Sequence, residues 1–398
     1  MSMQNGRVIK TRDGDKRVTF FTLFPWTSIT SRIHHFARLF KRDGYTVSIV
    51  DAHPTFGYFA KEWINRSTYA EQLMIPSRRY AIYRPFPATL SVKYPLFDKL
   101  YKRYLVAKLS KLKGKAFTND SILWVDFNEL FYPELVEVIY HLPKKLLIVD
   151  IRDDFRFFAT EKTKEIVEIS EKILCENADL VITLSKVLYD RLKKYNPNTV
   201  LIYDGADERL LLKSYNKLPP PADVPSGRIV GYLGKIDSRL DFPLLNYLVE
   251  KLNEVNFVFV GRTVLADMRE FKKLLSKPNF YYVGEKPRSL LPFYICSMDV
   301  GVIPFLVNPL TSSMDPIKLY DYLECRVPVI STALPEVEKY SKEGIVEIAY
   351  NPESFIEKIK KLLELYDEKL REERRNLARE NSWPKRYEQL ISVLKKFI

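Results

Sequence analysis

The stretch TSSMDPIKLYDYLECRVPVIST, residues 311–332, places Lys318 in the first turn of a helix that Asp315 and Pro316 predict, the aspartate as N-cap and the proline as first helical residue. A cation there opposes the helix dipole, which favours negative charge at that end. Asp321 follows three residues later on the same helical face. Two readings fit. One is a surface Lys–Asp pair, worth under ~0.5 kcal/mol. The other sets a diphosphate before the helix terminus and Lys318, with Asp321 receiving sugar hydroxyls and Ser312 and Ser313 supplying further polar groups.

A second element points the same way. In GYLGKIDSRLDF, residues 231–242, Gly231 and Gly234 allow close backbone approach, Lys235 and Arg239 add positive charge, and a helix begins near Asp241. Such a turn holds phosphate through backbone N–H groups, although an ordinary strand-to-helix turn looks alike. In VDIRDDF, residues 149–155, Asp153 or Asp154 could take a proton from an attacking hydroxyl, or simply cap a helix. Metal-ligand spacing is absent: three scattered cysteines form no CxxC pair, and the four histidines are not paired at ligand distance. The chemistry expected is therefore electrostatic, with no metal and no cofactor.

These residues need strands to carry them. Short runs rich in β-formers occur at 17–23, 45–51, 78–84, 121–126, 145–150, 179–184 and 199–204, mostly separated by helix-period segments. The stretch KLPPPADVPSG, 217–227, has four prolines and no periodicity, and reads as a linker. Alternation resumes at 228–234, 256–261, 280–284, 298–305, 327–332 and 344–349. Runs apolar on both faces suit buried parallel strands. The fold class expected is α/β, with two Rossmann-like, doubly wound domains facing across a cleft. Ligands in such sheets sit beyond the carboxyl ends of the strands.

Composition agrees. The chain has 398 residues, too many for one ordinary core, and is 46% apolar and 28% charged. Residues 1–16 are polar and mixed in charge, which predicts a flexible lead-in, not a signal peptide. No window approaches the roughly 18 apolar residues of a membrane span. A reducing cytoplasm is the expected compartment.

Together these motifs resemble the two-Rossmann (GT-B) glycosyltransferases, in particular the family-4 group also called glycosyltransferase family 1. The matching segments are the Gly231/Gly234 loop, NFVFVG, YYVGEKPRSLLPFYICSMDVGVIPF and DPIKLYDYLECRVPVIST, with ENADLVITLSKVLYDRL and LIYDGADERLL in the first half. The resemblance spans roughly residues 17–398. It implies an acceptor-binding domain over 17–216, a nucleotide-sugar-binding domain over 228–380, and a last helix over 381–398 packing back on the first domain. It implies that Lys235 and Lys318 neutralise the diphosphate of a UDP- or GDP-sugar and that Asp321 contacts the ribose. Glu285 lies in a loop that often flanks the base, or faces solvent. Trp26, Ser28, Arg32 and His34 occupy the acceptor position after the first strand; the histidine also fits a packing role. Two positions depart from the pattern: Ser313 stands where the first acid of an E-x7-E pair is usual, and Arg326 where glycine is usual. Retention of anomeric configuration is implied.

Net charge is +13, and eleven basic residues against one acid lie between Arg78 and Lys115. The segment 97–115 reads as a basic helix with an apolar stripe of Leu100, Tyr104, Leu105, Leu109 and Leu112, preceded by an aromatic, proline-rich run. It suits packing on the sheet or an anionic membrane surface beside a glycan or lipid-linked acceptor. The expected activity is sugar transfer in cell-surface polysaccharide or glycoconjugate synthesis. The alternative is an inactive protein of the same fold, bound to membrane or nucleic acid through 78–115. No nucleic-acid motif supports the latter partner.

Overall fold

The computed structural model describes residues 16–24, 26, 32–53, 76–83, 94–207, 219–264 and 268–397. The lead-in before residue 16, Ser28, the proline-rich run 84–93 and the first two linker residues lie outside the described residues. Among the described residues thirteen strands form two wholly parallel sheets. The first contains β1 (Arg17–Thr22), β2 (Thr46–His53), β3 (Arg78–Tyr83), β4 (Ser121–Asp126), β5 (Leu146–Ile151), β6 (Leu180–Thr183) and β7 (Thr199–Leu201). The second contains β8 (Ile229–Leu233), β9 (Asn256–Val260), β10 (Phe280–Gly284), β11 (Val300–Ile303), β12 (Val329–Thr332) and β13 (Val346–Ala349). Each lies within or beside an apolar run recognised in the sequence. β4 and β5 are buried at every position, as strands covered on both faces must be.

Strand order is β3-β2-β1-β4-β5-β6-β7 in one sheet and β10-β9-β8-β11-β12-β13 in the other. Both reverse direction between their first and fourth strands, β1/β4 and β8/β11. A crevice opens beyond the carboxyl ends at such a point. Two apolar clusters cover the first sheet and one large cluster holds the second domain. The terminal helix Trp383–Leu394 packs with the first domain: His35 stacks on Trp383 at 4.5 Å, and Tyr387, Leu390 and Leu394 join the cluster around Phe20 and Trp124. The chain crosses between domains where Ala206 pairs with Ser382. Gly205 is required there, because a Cβ would stand 2.9 Å from the backbone of Asn381 and Ser382.

The helix that opened the sequence reading starts one residue later than expected, at Ile317, with Pro316 in the cap position. Asp315 is not its cap. The buried carboxylate accepts hydrogen bonds from the Asp204 N–H at 2.8 Å and from the Tyr320 hydroxyl, joining the second domain to the segment leaving the first. At its other end the helix closes with Arg326 at φ 64, the one non-glycine with positive φ among the described residues. The Val327 N–H donates to the Tyr322 carbonyl and the Arg326 N–H to that of Leu323, both at 3.0 Å. This is the αL-terminated closure that usually takes glycine. The Arg326 guanidinium binds Glu368 and Glu372 at 3.0 and 2.9 Å, which offsets the backbone strain.

Candidate active site

Three neighbouring strands of the second sheet end at or just before a glycine: Gly234 after β8, Gly261 after β9 and Gly284 at the end of β10. The Gly234 N–H donates to the Val260 carbonyl and the Gly261 N–H to that of Gly284, each at 2.9 Å. The first two loops nest closely. A Cβ on Gly261, at φ +146, would fall 1.9 Å from the Gly234 carbonyl oxygen. A Cβ on Gly234, at φ +139, would stand 3.1 Å from Cε of Lys318. Both positions therefore need glycine on grounds of conformation and space. Tyr322, on the helix Ile317–Glu324, accepts a hydrogen bond from the Leu233 N–H at 2.8 Å and so pins that helix under the Gly234 loop.

Cations converge on this loop. The half-buried Lys318 ammonium lies 4.2 Å from the centroid of the Phe305 ring and 5.0 Å from that of Tyr232. It belongs to no ion pair among the described residues. Burial, followed by the neighbouring Arg239 charge, pushes its pKa down to about 7, against opposing contributions from Asp237 and Asp321. The exposed Lys235 is also shifted down, by partial desolvation and then by Arg262 and Arg239. Arg239 is clamped in bidentate fashion by Asp237 at 2.8 and 2.6 Å, and its charge lies over Phe305. Lys235 and Lys318 thus remain uncompensated beside a strand-end glycine, an arrangement suited to an anion.

Across the crevice stand two carboxylates of the first domain. Asp153, after β5, is half-buried and makes no side-chain hydrogen bond among the described residues. Its pKa rises to about 6 through burial, with Asp204 and Glu129 adding to the shift and Arg152 and Arg239 opposing it. Glu129, after β4, is raised by the same desolvation and faces Arg152, Asp126 and Lys235. A carboxylate poised near neutral pH opposite fixed cations can accept a proton.

Asp321 lies behind Lys318, buried, with Oδ1 3.8 Å from an Arg288 guanidinium nitrogen and without a hydrogen bond. Burial raises its pKa, Arg288 opposing. An unused buried acceptor oxygen of this kind suits a hydroxyl. Ser312 is half-buried near the helix start, and Glu285 is exposed beyond Gly284.

Several expected site residues are structural instead. Gly231 lies inside β8, where its missing side chain admits Met298; a Cβ would meet the sulfur at 2.1 Å. Ser313 is buried and donates to the Leu310 carbonyl at 2.7 Å. Asp154 is buried and held by Arg156 at 2.7 and 2.6 Å, its pKa lowered as those bonds and Arg191 outweigh burial. Trp26 is buried, stacks on His34 at 3.8 Å, and its carbonyl bonds the His34 ring at 2.6 Å. Arg32 is 1% exposed, donates to the Ile202 carbonyl at 3.0 Å, and sits 3.3 Å from Asp150 and 3.6 Å from Asp204. None of these last three presents an acceptor-facing group. The residues missed were Arg262 and Glu129. Arg262 carried a signal, since Gly261-Arg262 repeats the Gly234-Lys235 pattern one strand over; Glu129 follows a strand but sits in no distinctive motif.

Residues 228–365 match the sequence profile of the family Glycosyl transferases group 1. A stretch of 242 residues, 58% of this chain, is 26% identical to the putative teichuronic acid biosynthesis glycosyltransferase TuaH of Bacillus subtilis (strain 168), spanning 60% of that relative's length. The fold superposes on sucrose-phosphate synthase from Thermosynechococcus elongatus with a TM-score of 0.68, covering 96% of this chain and 98% of that one at 14% identity. HepE of Anabaena, in complex with UDP and glucose, gives 0.67 over 96% and 100% at 14% identity. The chain therefore has the GT-B fold, and residues 228–365 of its second domain resemble the glycosyl transferases group 1.

Proposed function

We propose that the chain transfers a sugar from a nucleoside-diphosphate sugar to a glycan or lipid-linked acceptor, in the synthesis of a cell-surface polysaccharide or glycoconjugate. The observation that carries this reading is the uncompensated Lys318 beside Lys235 and the Gly234 loop. Breaking a sugar–diphosphate bond leaves negative charge on the departing oxygen, and preorganised cations stabilise that charge without reorganisation. Lys318 and Lys235 serve the diphosphate, Arg239 reinforces the local potential, and the free oxygen of Asp321 takes hydroxyls of the donor. Asp153 accepts the proton of the attacking hydroxyl.

Two relatives support the donor and the pathway class. HepE is described with UDP and glucose bound, and TuaH is named for teichuronic acid biosynthesis. The reading includes catalysis without metal or cofactor, retention of anomeric configuration through attack of the hydroxyl on the face that the diphosphate leaves, and a place at the cytoplasmic face of the membrane. Among the described residues no helix is long and apolar enough to cross a membrane.

The test is Lys318→Ala assayed for hydrolysis and transfer of UDP-, GDP- and ADP-sugars. Loss of one oriented charge from a leaving-group site lowers kcat by about 10²–10³-fold. Unaltered turnover by the folded variant contradicts the donor-site assignment and favours a fold retained for binding alone.

A further inference from the structure

The helix Pro95–Ser110 carries two apolar stripes on opposite sides. Tyr101, Leu105 and Leu109 point inward and are buried in the first-domain core. Leu96, Leu100 and Ala107, spaced i, i+4 and i+11 with the cationic Arg103 between them at i+7, run along the outside. The expected single stripe was thus too simple, for Leu100 faces away from the sheet. Leu96 is 65% exposed, Leu100 45%, and Tyr94 just before the helix 54%. Lys99 and Lys111 flank this outer stripe, and Lys108, Lys113 and Lys115 are exposed around it.

Charge and apolar surface together select a partner. Water alone satisfies the lysines but leaves the leucines without a role. A nucleic acid meets the lysines and has no use for the leucines. A second copy of the chain would set one basic face against another. An anionic bilayer accommodates both, apolar side chains at the acyl boundary and cations at the lipid phosphates. Position adds a further argument. The inner side of the same helix closes a cavity of about 110 Å³ with Leu23 after β1, Ala52 in β2 and Leu130 after β4. Those are carboxyl ends of the first sheet, the first domain's half of the crevice.

We propose that the outer face of Pro95–Ser110 docks on an anionic membrane, Leu96 and Leu100 entering the headgroup–acyl boundary while Lys99, Arg103, Lys108 and Lys111 bind lipid phosphates. The acceptor then reaches the crevice from the bilayer, as a lipid-linked glycan. Only this last clause rests on the proposed sugar transfer; the docking stands without it.

The full chain is sedimented with vesicles of phosphatidylcholine, alone or mixed with phosphatidylglycerol. Binding is expected to the mixed vesicles only. Leu96→Gln with Leu100→Gln lowers the partition coefficient on the order of tenfold. Lys99→Gln, Arg103→Gln and Lys111→Gln together lower it about a hundredfold. All these side chains lie on the outer face, so melting temperature and sugar-nucleotide hydrolysis without vesicles stay unchanged. Absence of binding to mixed vesicles, or equal binding by both variants, overturns the proposal. So does a leucine variant that binds normally while a DNA oligonucleotide displaces the wild type. If Lys318→Ala leaves hydrolysis intact but vesicle binding persists, the sugar-transfer reading fails and the docking survives.

Discussion

The two sides of the crevice treat their charges differently. On the first-domain side, ionic groups in and after the strands are paired within the domain: Arg32 between Asp150 and Asp204, Arg79 on Asp51, Arg152 on Asp126, Arg156 on Asp154. On the second-domain side, Lys318 lies against Gly234, Lys235 follows that glycine, and among the described residues no acid forms an ion pair with either. A buried charge with a tight partner holds a fold together, and losing the partner costs several kcal/mol. A partly desolvated charge with a depressed pKa and no partner awaits a ligand. The first domain shows what charges look like when used for structure; the second leaves two lysines outside any such pair among the described residues, as the proposed donor site requires. Asp153 and Glu129 are exceptions in the first domain, and both face Lys235.

The sharpest way to break this contrast is to remove a charge from the structural side. Arg32→Ala leaves Asp150 and Asp204 buried together and is expected to lower unfolding free energy by about 3–5 kcal/mol. Urea denaturation reads the loss as a lower midpoint. A midpoint like that of wild type means that the first-domain network is not structural.

Adjacent carboxylates give the next comparison. Asp153→Asn is expected to reduce transfer about 10²-fold with little change in melting temperature. Asp154→Asn is expected to lower stability, because Arg156 loses its bidentate partner, while turnover per folded molecule is retained. The reverse pattern assigns the base to Asp154.

The pH dependence follows from the same pair of sites. Asp153, with its pKa raised to about 6, must lose its proton to act, so kcat/KM rises through pH 6. Lys318, with its pKa lowered to about 7, loses its charge above neutrality, so kcat/KM falls from there. The result is a narrow optimum between these values. For stability the Lys318 sign is the opposite: the unfolded chain binds the proton more tightly between about pH 7 and its ordinary lysine value, so this group's contribution improves as pH rises through that window. A broad plateau extending well above neutral pH contradicts the assignment.

The smallest effect concerns the helix end. Arg326→Gly exchanges two partly exposed ion pairs for a residue at ease at positive φ, so the change in stability is expected within about 1 kcal/mol. Arg326→Val loses the pairs and keeps the strain, and is expected to cost about 1–3 kcal/mol.

Much of this was legible in the sequence. Buried parallel strands announce themselves by apolar runs on both faces, which is why each strand fell at a recognised run. Lys318 was legible because a cation at a helix start is electrostatically out of place. What was not legible depended on partners distant in sequence. Asp153 and Asp154 look alike until Arg156 is seen to grip one of them. Asp315 had the local signature of a cap, yet the backbone of Asp204 claims it across the domain boundary. Gly231 matched a phosphate-loop pattern but serves the sulfur of Met298. Trp26, Arg32 and His34 occupied the right stretch of chain, and their burial follows from contacts with Asp51, Asp150 and one another. Arg326 departed from the glycine usual at that position, but the backbone conformation did not.

The central claim is that Lys318 waits for a diphosphate. Calorimetric titration of UDP, GDP and ADP into wild type and Lys318→Ala, repeated at pH 8 in two buffers of different ionisation enthalpy, tests it directly. The account predicts that one nucleoside diphosphate binds wild type with proton uptake, since the anion restores the ammonium's charge, and binds the variant at least tenfold more weakly without that uptake. Equal affinity in both proteins, with no proton linked to binding, would contradict it.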